Sequence, residues 1–61
     1  MIVVESIYYI TGKVIATVHK NMKEVPKNVS GNTYDKYFDK FDTIEEAESF
    51  AEESRMENFL R

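Results

Sequence analysis

The chain has 61 residues, enough for one small domain spanning residues 1–61, and a chain this short rarely forms a deep catalytic pocket. It contains no cysteine, so disulfides and thiolate chemistry are excluded, and we expect a reducing, cytoplasmic setting. The net charge of −3 argues against a dedicated nucleic-acid binder, and the apolar run Ile2-Val3-Val4 is too short for a signal peptide or a membrane span.

The stretch from Glu5 to Lys20 predicts a β-hairpin, because isoleucine, valine, tyrosine and threonine dominate both of its arms. Gly12 lies between the arms and supplies the positive φ that a type II′ turn needs at its first central position. A Gly12-Lys13 loop would place Glu5 opposite Lys20, which is a complementary charge pair. A Thr11-Gly12 loop is the alternative, and it would place Glu5 opposite Val18.

Both registers divide the side chains between the two faces of the hairpin in the same way. One face would carry Val3, Ile7, Tyr9, Val14, Ala16 and Val18. The other would carry Ile2, Val4, Tyr8, Ile10 and Ile15, together with Ser6, Thr17 and His19. Both faces are therefore substantially apolar, whereas a sheet covered on one side should alternate apolar and polar residues more cleanly.

Residues 21–33 predict a long connection, since Pro26, Gly31 and several asparagines interrupt any periodicity. The segment Tyr34 to Phe41 is compatible with two structures. Its aromatic residues recur at helical spacing, but aromatic residues also favour strands, and a strand can lead directly into the helix that follows. We predict a third strand here.

Thr43 to Ser54 predicts the clearest helix, because Thr43 and Glu46 have the spacing of a capping box. Its apolar residues form one narrow stripe that should pack on the hairpin: Ile44, Ala47, Phe50 and Ala51. Met56, Phe59 and Leu60 lie on the opposite side of the same helical wheel. The helix could therefore break near Ser54 and restart, or run on and project these three side chains away from the core.

No combination of residues indicates catalysis, a metal site or a cofactor. His19 is the only histidine, and no neighbouring residue type completes a metal site or a nucleophile–base pair around it. The carboxylates are concentrated in residues 41–61, where seven acids and two arginines indicate a solvated helix face. We therefore expect no enzymatic activity and no cofactor.

The segment Val29 to Phe50, VSGNTYDKYFDKFDTIEEAESF, resembles the end of the N-terminal hybrid-binding domain of ribonuclease H. The resemblance consists of a glycine-containing loop, a tyrosine, a lysine, Phe-x-Thr and Glu-Glu-Ala before the last helix. It implies a small sheet followed by a helix, and a role in holding an RNA–DNA hybrid. The positions that match the family are Lys36, Tyr37 and Lys40.

These observations predict an α+β fold: an antiparallel hairpin with a third strand, and one amphipathic C-terminal helix packed on one sheet face. One helix cannot cover both faces, so we predict a protein-binding inhibitor or modulator, with a phage as one candidate origin, that occludes a partner or forms a homodimer. The residues predicted to bind the partner are Tyr8, Ile10, Ile15, Met56, Phe59 and Leu60. The alternative is a nucleic-acid module that uses Lys20, Lys23, Lys27, Lys36, Tyr37 and Lys40.

Overall fold

Four antiparallel strands and one helix form an α+β fold in the computed structural model, which describes residues 1–57. The elements are β1 (Ile2–Tyr9), β2 (Val14–His19), β3 (Val29–Ser30), β4 (Tyr34–Phe41) and α1 (Ile44–Glu57). The strand order is β2-β1-β4-β3, so β1 lies at the centre of the sheet between β2 and β4. The predicted hairpin, third strand and C-terminal helix are thus confirmed.

The aromatic segment Tyr34–Phe41 forms strand β4 rather than a helix. It pairs along its whole length with β1, from Ile2 opposite Phe41 to Tyr9 opposite Tyr34. The preceding connection contributes one further strand that the sequence did not indicate, the two-residue β3. Asn28 immediately precedes β3, and its Oδ1 atom accepts a hydrogen bond of 2.9 Å from the Phe38 N–H. This side chain therefore takes the place of the backbone carbonyl that a longer β3 would offer to β4.

The hairpin turn differs from both predicted loops. The Gly12 N–H donates to the Tyr9 carbonyl at 2.9 Å, and the Tyr9 N–H donates to the Lys13 carbonyl at 2.8 Å. These bonds enclose a three-residue loop, and Gly12 occupies its last position with a φ of 95°. The glycine does supply the positive φ, but as the bulge residue after a tight turn rather than at the first position of a type II′ turn.

The additional loop residue changes the register and corrects the predicted division of side chains between faces. Ile7 now lies opposite Ile15, and Glu5 lies opposite Thr17, not opposite Lys20 or Val18. A shift by one residue moves every side chain of one strand to the other face of its partner. The observed register is favoured because it removes Glu5 from the apolar face of β2 and lets Val4 join Ala16 under the helix.

The helix face of the sheet is the side on which α1 packs. Its buried core consists of Val4, Ala16, Ala47 and Ala51, flanked by the half-buried side chains of Ile2, Val18, Phe41 and Phe50. The predicted apolar stripe of the helix is confirmed, because Ala47 and Ala51 are both fully buried. The small alanine side chains let the helix backbone approach the sheet closely.

The helix begins where the sequence predicts and runs past Ser54. The Thr43 hydroxyl oxygen accepts a hydrogen bond of 3.2 Å from the Glu46 N–H and donates one of 3.1 Å to the Glu46 carboxylate, so the predicted cap is formed. There is no break at Ser54, which is 95% buried within a helix that continues to Glu57. Its neighbour Arg55 reaches the edge strand β2 and donates a hydrogen bond of 2.6 Å to the Ala16 carbonyl.

The second face of the sheet carries side chains from all three long strands: Glu5, Ile7, Ile15, His19, Lys36, Phe38 and Lys40. Several of them are only partly buried, and Ile15 is 36% exposed. One helix therefore covers one face only, as the sequence predicts. With 14 residues and many charges, α1 is also too short and too polar to cross a bilayer.

Candidate binding groove

A groove lies on the helix face of the sheet, beside α1. The helix packs mainly against β2 and β1 and touches β4 chiefly at Phe41, so the rest of the β4 half of this face remains open. The groove has a volume of about 690 Å³. Its lining includes Ser6, Tyr8, Asp35, Tyr37, Asp39 and Phe50.

Two tyrosines form an aromatic pair in the groove. The rings of Tyr8 and Tyr37 meet edge to face, with centroids 5.7 Å apart and an interplanar angle of 73°. They come from adjacent strands, where Tyr8 lies opposite Asp35 and Tyr37 lies opposite Ser6. Tyr37 is 40% exposed, so one aromatic surface of the pair remains accessible to a ligand.

Two carboxylates flank Tyr37 on strand β4. Asp35 and Asp39 each lie two residues from Tyr37, so all three side chains share the helix face. Within residues 1–57 the ion pairs are those of Glu5 with His19 and with Lys36, and neither aspartate takes part in one. The described lining of the groove contains no lysine, arginine or histidine, so the groove is acidic.

Ser6 supplies a buried polar atom to the groove. Its residue is 1% exposed, and its Oγ has no hydrogen-bond partner within the described part of the chain. A buried hydroxyl without a partner is destabilising, because its lost hydration is not replaced. Ser6 therefore marks a position in the groove where a hydrogen bond can be gained on binding.

Two backbone contacts fix the end of the groove nearest the hairpin turn. The Ile10 N–H donates to the Thr33 carbonyl at 2.9 Å, and the Gly31 N–H donates to the Tyr34 carbonyl at the same distance. A Cβ atom at Gly31 would come within 3.0 Å of that carbonyl oxygen, so glycine permits the close approach. The connection is thereby held against β1 and β4 at this end.

The second face holds a charged cluster instead of a groove. One carboxylate oxygen of Glu5 lies 2.9 Å from His19 Nε2, and the other lies 3.3 Å from Lys36 Nζ. The hydrogen bond from His19 lowers the pKa of Glu5, and Lys36 contributes in the same direction, although burial opposes them. The Lys36 Nζ atom also lies 5.8 Å from the centre of the Tyr34 ring. This cluster ties β1, β2 and β4 together.

The structure separates the residues that were predicted to bind a protein partner. Tyr8 and Ile10 both line the groove, and Ile10 is 78% exposed. Ile15 lies on the second face, so the predicted common face for these three residues is wrong, for the reason of register given above. Met56 is 57% exposed in the last turn of α1. Phe59 and Leu60 lie outside the described residues.

The residues of the nucleic-acid alternative are also divided. The exposed residues Lys20, Lys23 and Lys27 belong to the connection that follows β2, while Lys36 and Lys40 lie on the second face. Tyr37 points to the helix face, where it meets Tyr8 rather than the lysines.

Four residues of the groove were not singled out by the sequence as site residues: Ser6, Asp35, Asp39 and Phe50. The alternation of β4 does place Asp39 and Tyr37 on one side, and that was the available signal. No sequence signal indicated Ser6 as a site residue, because a lone serine in a strand is common. Within residues 1–57, no three histidine, aspartate or glutamate side chains are grouped as a metal site would require.

Comparison of the chain with protein-family models, with curated proteins and with solved structures finds no significant match in any of the three. The resemblance of Val29 to Phe50 to the hybrid-binding domain of ribonuclease H therefore stays a prediction.

Proposed function

We propose that this chain is a small non-enzymatic binding protein that inhibits or modulates a partner protein by occluding its surface, either directly or as a homodimer. The observation that carries the proposal is the groove beside α1, an open and partly aromatic surface on an otherwise well-packed sheet face. Tyrosine and phenylalanine are typical anchors of protein interfaces, because each buries a large rigid surface at low entropic cost.

The exposed apolar side chains support a docking role. Ile10 and Tyr37 are 78% and 40% exposed at the groove, and Met56 is 57% exposed at the end of the helix. The outward glutamates of α1 give the molecule an acidic side that would accelerate association with a basic partner. The groove supplies the burial and the helix supplies the long-range attraction.

Site-specific photo-crosslinking in an extract of the source cells tests the proposal. A photoreactive phenylalanine analogue at Tyr37 should crosslink one discrete protein, whereas the same analogue at Thr17, which is exposed on the second face, should crosslink no protein other than a second copy of this chain. The Phe59→Ala variant tests the predicted contribution of the C-terminal residues, and recovery of the partner should fall. Equal crosslinking from both positions, or none from Tyr37, would contradict the proposal for the groove.

Self-association is tested by sedimentation over a range of concentrations. If the second face forms a dimer, Ile15→Glu should produce a monomer, and if the groove forms it, Tyr37→Glu should do so. Lys13→Glu in the exposed hairpin region is a charge-changing control that should leave the mass unchanged. A monomer at every concentration would remove the homodimer version and leave the heterologous partner.

A nucleic-acid module is the alternative function, favoured by one observation. Lys36 and Lys40 flank Phe38 on the second face, and this places two cations beside an aromatic ring. Binding of RNA or of an RNA–DNA hybrid should then weaken with salt and with the double change Lys36→Gln and Lys40→Gln, but not with Lys13→Gln. No binding at low salt would remove this alternative.

A further inference from the structure

We infer that the groove binds an arginine side chain from a basic segment of a partner protein. This inference rests on the proposed function and specifies the chemistry of the partner. Three independent properties of the groove support it: its charge, its aromatic surface and its unpartnered hydroxyl.

The negative charge of the groove should attract a cation. Asp35 and Asp39 share one side of β4, and no basic side chain lines the groove within the described residues. By contrast, Lys36 is turned to the second face and held there by Glu5 at 3.3 Å. The two aspartates therefore have no cation from the described chain close to them, and a cation brought by a partner would be attracted to both.

The position of Tyr37 between the aspartates favours a planar cation. Neighbouring side chains on one side of a strand are about 7 Å apart, so a group placed over the Tyr37 ring can reach Asp35 or Asp39 at its edge. Guanidinium stacks on aromatic faces and forms paired hydrogen bonds with a carboxylate, whereas ammonium is a compact, strongly hydrated charge. Arginine therefore fits this arrangement better than lysine.

Ser6 gives the third and independent indication of a ligand. Its Oγ is buried and has no partner among residues 1–57, and its residue lies directly opposite Tyr37 in the sheet. The five N–H donors of a guanidinium exceed what one carboxylate can accept, so one donor is available for this hydroxyl oxygen. Ser6 belongs to the lining of the groove. Binding would then satisfy the buried atom that the free protein leaves without a partner.

The test is an NMR titration of the full chain, labelled with nitrogen-15, with the peptide acetyl-Gly-Arg-Gly-Arg-Gly-amide. Citrulline in place of arginine is the matched control peptide, because it keeps the shape and removes the charge. Amide shifts should concentrate at Ser6, Tyr8 and Tyr37. The citrulline peptide should bind about tenfold more weakly or worse, and the lysine peptide should bind several-fold more weakly.

Variants of the protein test which residues bind the arginine peptide. Asp35→Asn combined with Asp39→Asn should weaken binding of the arginine peptide by about tenfold. Glu48→Gln combined with Glu52→Gln removes the same charge from the exposed side of α1 and should change the affinity by less than about twofold. Ser6→Ala should weaken binding without lowering the stability of the free protein, which separates loss of a contact from loss of the fold.

The outcomes distinguish this inference from the proposed function. Equal binding of the arginine and citrulline peptides, shifts confined to the helix glutamates, or equal losses in the two double variants would each overturn the inference. A discrete partner crosslinked through Tyr37 but indifferent to the aspartate changes would leave the proposed function standing. Arginine binding in the groove without a crosslinked partner would support the site and contradict the proposed function.

Discussion

Glu5 and His19 face each other diagonally across strands β1 and β2, with the imidazole Nε2 2.9 Å from a carboxylate oxygen. Lys36 reaches the other oxygen from β4, so the central strand is tied to both of its long neighbours by one side chain. The contact exists only in the observed register, because in either register predicted from the sequence Glu5 and His19 would lie on opposite faces.

The Glu5 cluster should make stability depend on pH. Because the pKa of Glu5 is lowered in the folded protein, its contribution is complete above the ordinary glutamate pKa and is lost as the pH falls through the folded value. We expect Glu5→Gln to lower the free energy of unfolding by about 1 kcal/mol at neutral pH. Between about pH 5 and pH 3 the variant should lose less stability than the wild type.

Urea unfolding followed by circular dichroism at several pH values measures this difference. Glu48→Gln, on the exposed side of α1, is the matched control and should retain the wild-type pH dependence. Parallel pH profiles for the wild type and Glu5→Gln would show that the cluster does not contribute to stability.

The hairpin loop should be sensitive to the loss of glycine. Gly12 has a φ of 95°, and a Cβ atom placed there would meet nothing within 4 Å, so any effect of substitution comes from backbone conformation alone. Gly12→Ala should destabilise the protein by about 1–2 kcal/mol, and Gly12→Asn by less, because asparagine tolerates this region better. Thermal or urea unfolding of the Gly12→Ala and Gly12→Asn variants measures this difference. Equal stability of the two variants would show that the positive φ at this position does not determine the effect.

The contact between the helix and the sheet should resist enlargement. Ala51 is fully buried against the sheet, so Ala51→Leu should overpack the core and lower the free energy of unfolding by about 1–3 kcal/mol. Glu52→Leu adds a similar apolar side chain at the next, exposed position and should change stability by less than about 0.5 kcal/mol. If Ala51→Leu unfolds at the same urea concentration as the wild type, the helix does not pack as closely as described.

Ser6 should be a position where stability and binding oppose each other. Its buried Oγ has no partner within the described residues, so Ser6→Ala removes an unsatisfied polar atom and should stabilise the free protein by about 1 kcal/mol. Ser49→Ala, at an exposed helix position, serves as the control for a serine that contacts solvent. A clear loss of stability in Ser6→Ala would mean that the hydroxyl has a partner in solution, which would remove one support for the arginine site.

Local sequence signals predicted the elements of this fold well. The Thr43–Glu46 cap and the apolar stripe from Ile44 to Ala51 predicted the helix correctly, because caps and helical periodicity are properties of neighbouring residues. The strand at Tyr34–Phe41 followed from its aromatic residues and its direct approach to the helix. The excess of apolar surface over what one helix can cover was also visible from residue types alone.

The register, and with it the groove, depended on the tertiary structure. Side chains alternate along a strand, so the single residue that separates a three-residue loop from a two-residue loop decides which face each side chain of β1 shares with β2. The sequence around Gly12 allows both loops, and only packing of Val4 and Ala16 under Ala47 and Ala51 selects between them. The approach of α1 to β2 rather than β4 then left Tyr37 and its flanking aspartates uncovered. That choice is made by contacts between distant segments, which residue order alone does not specify.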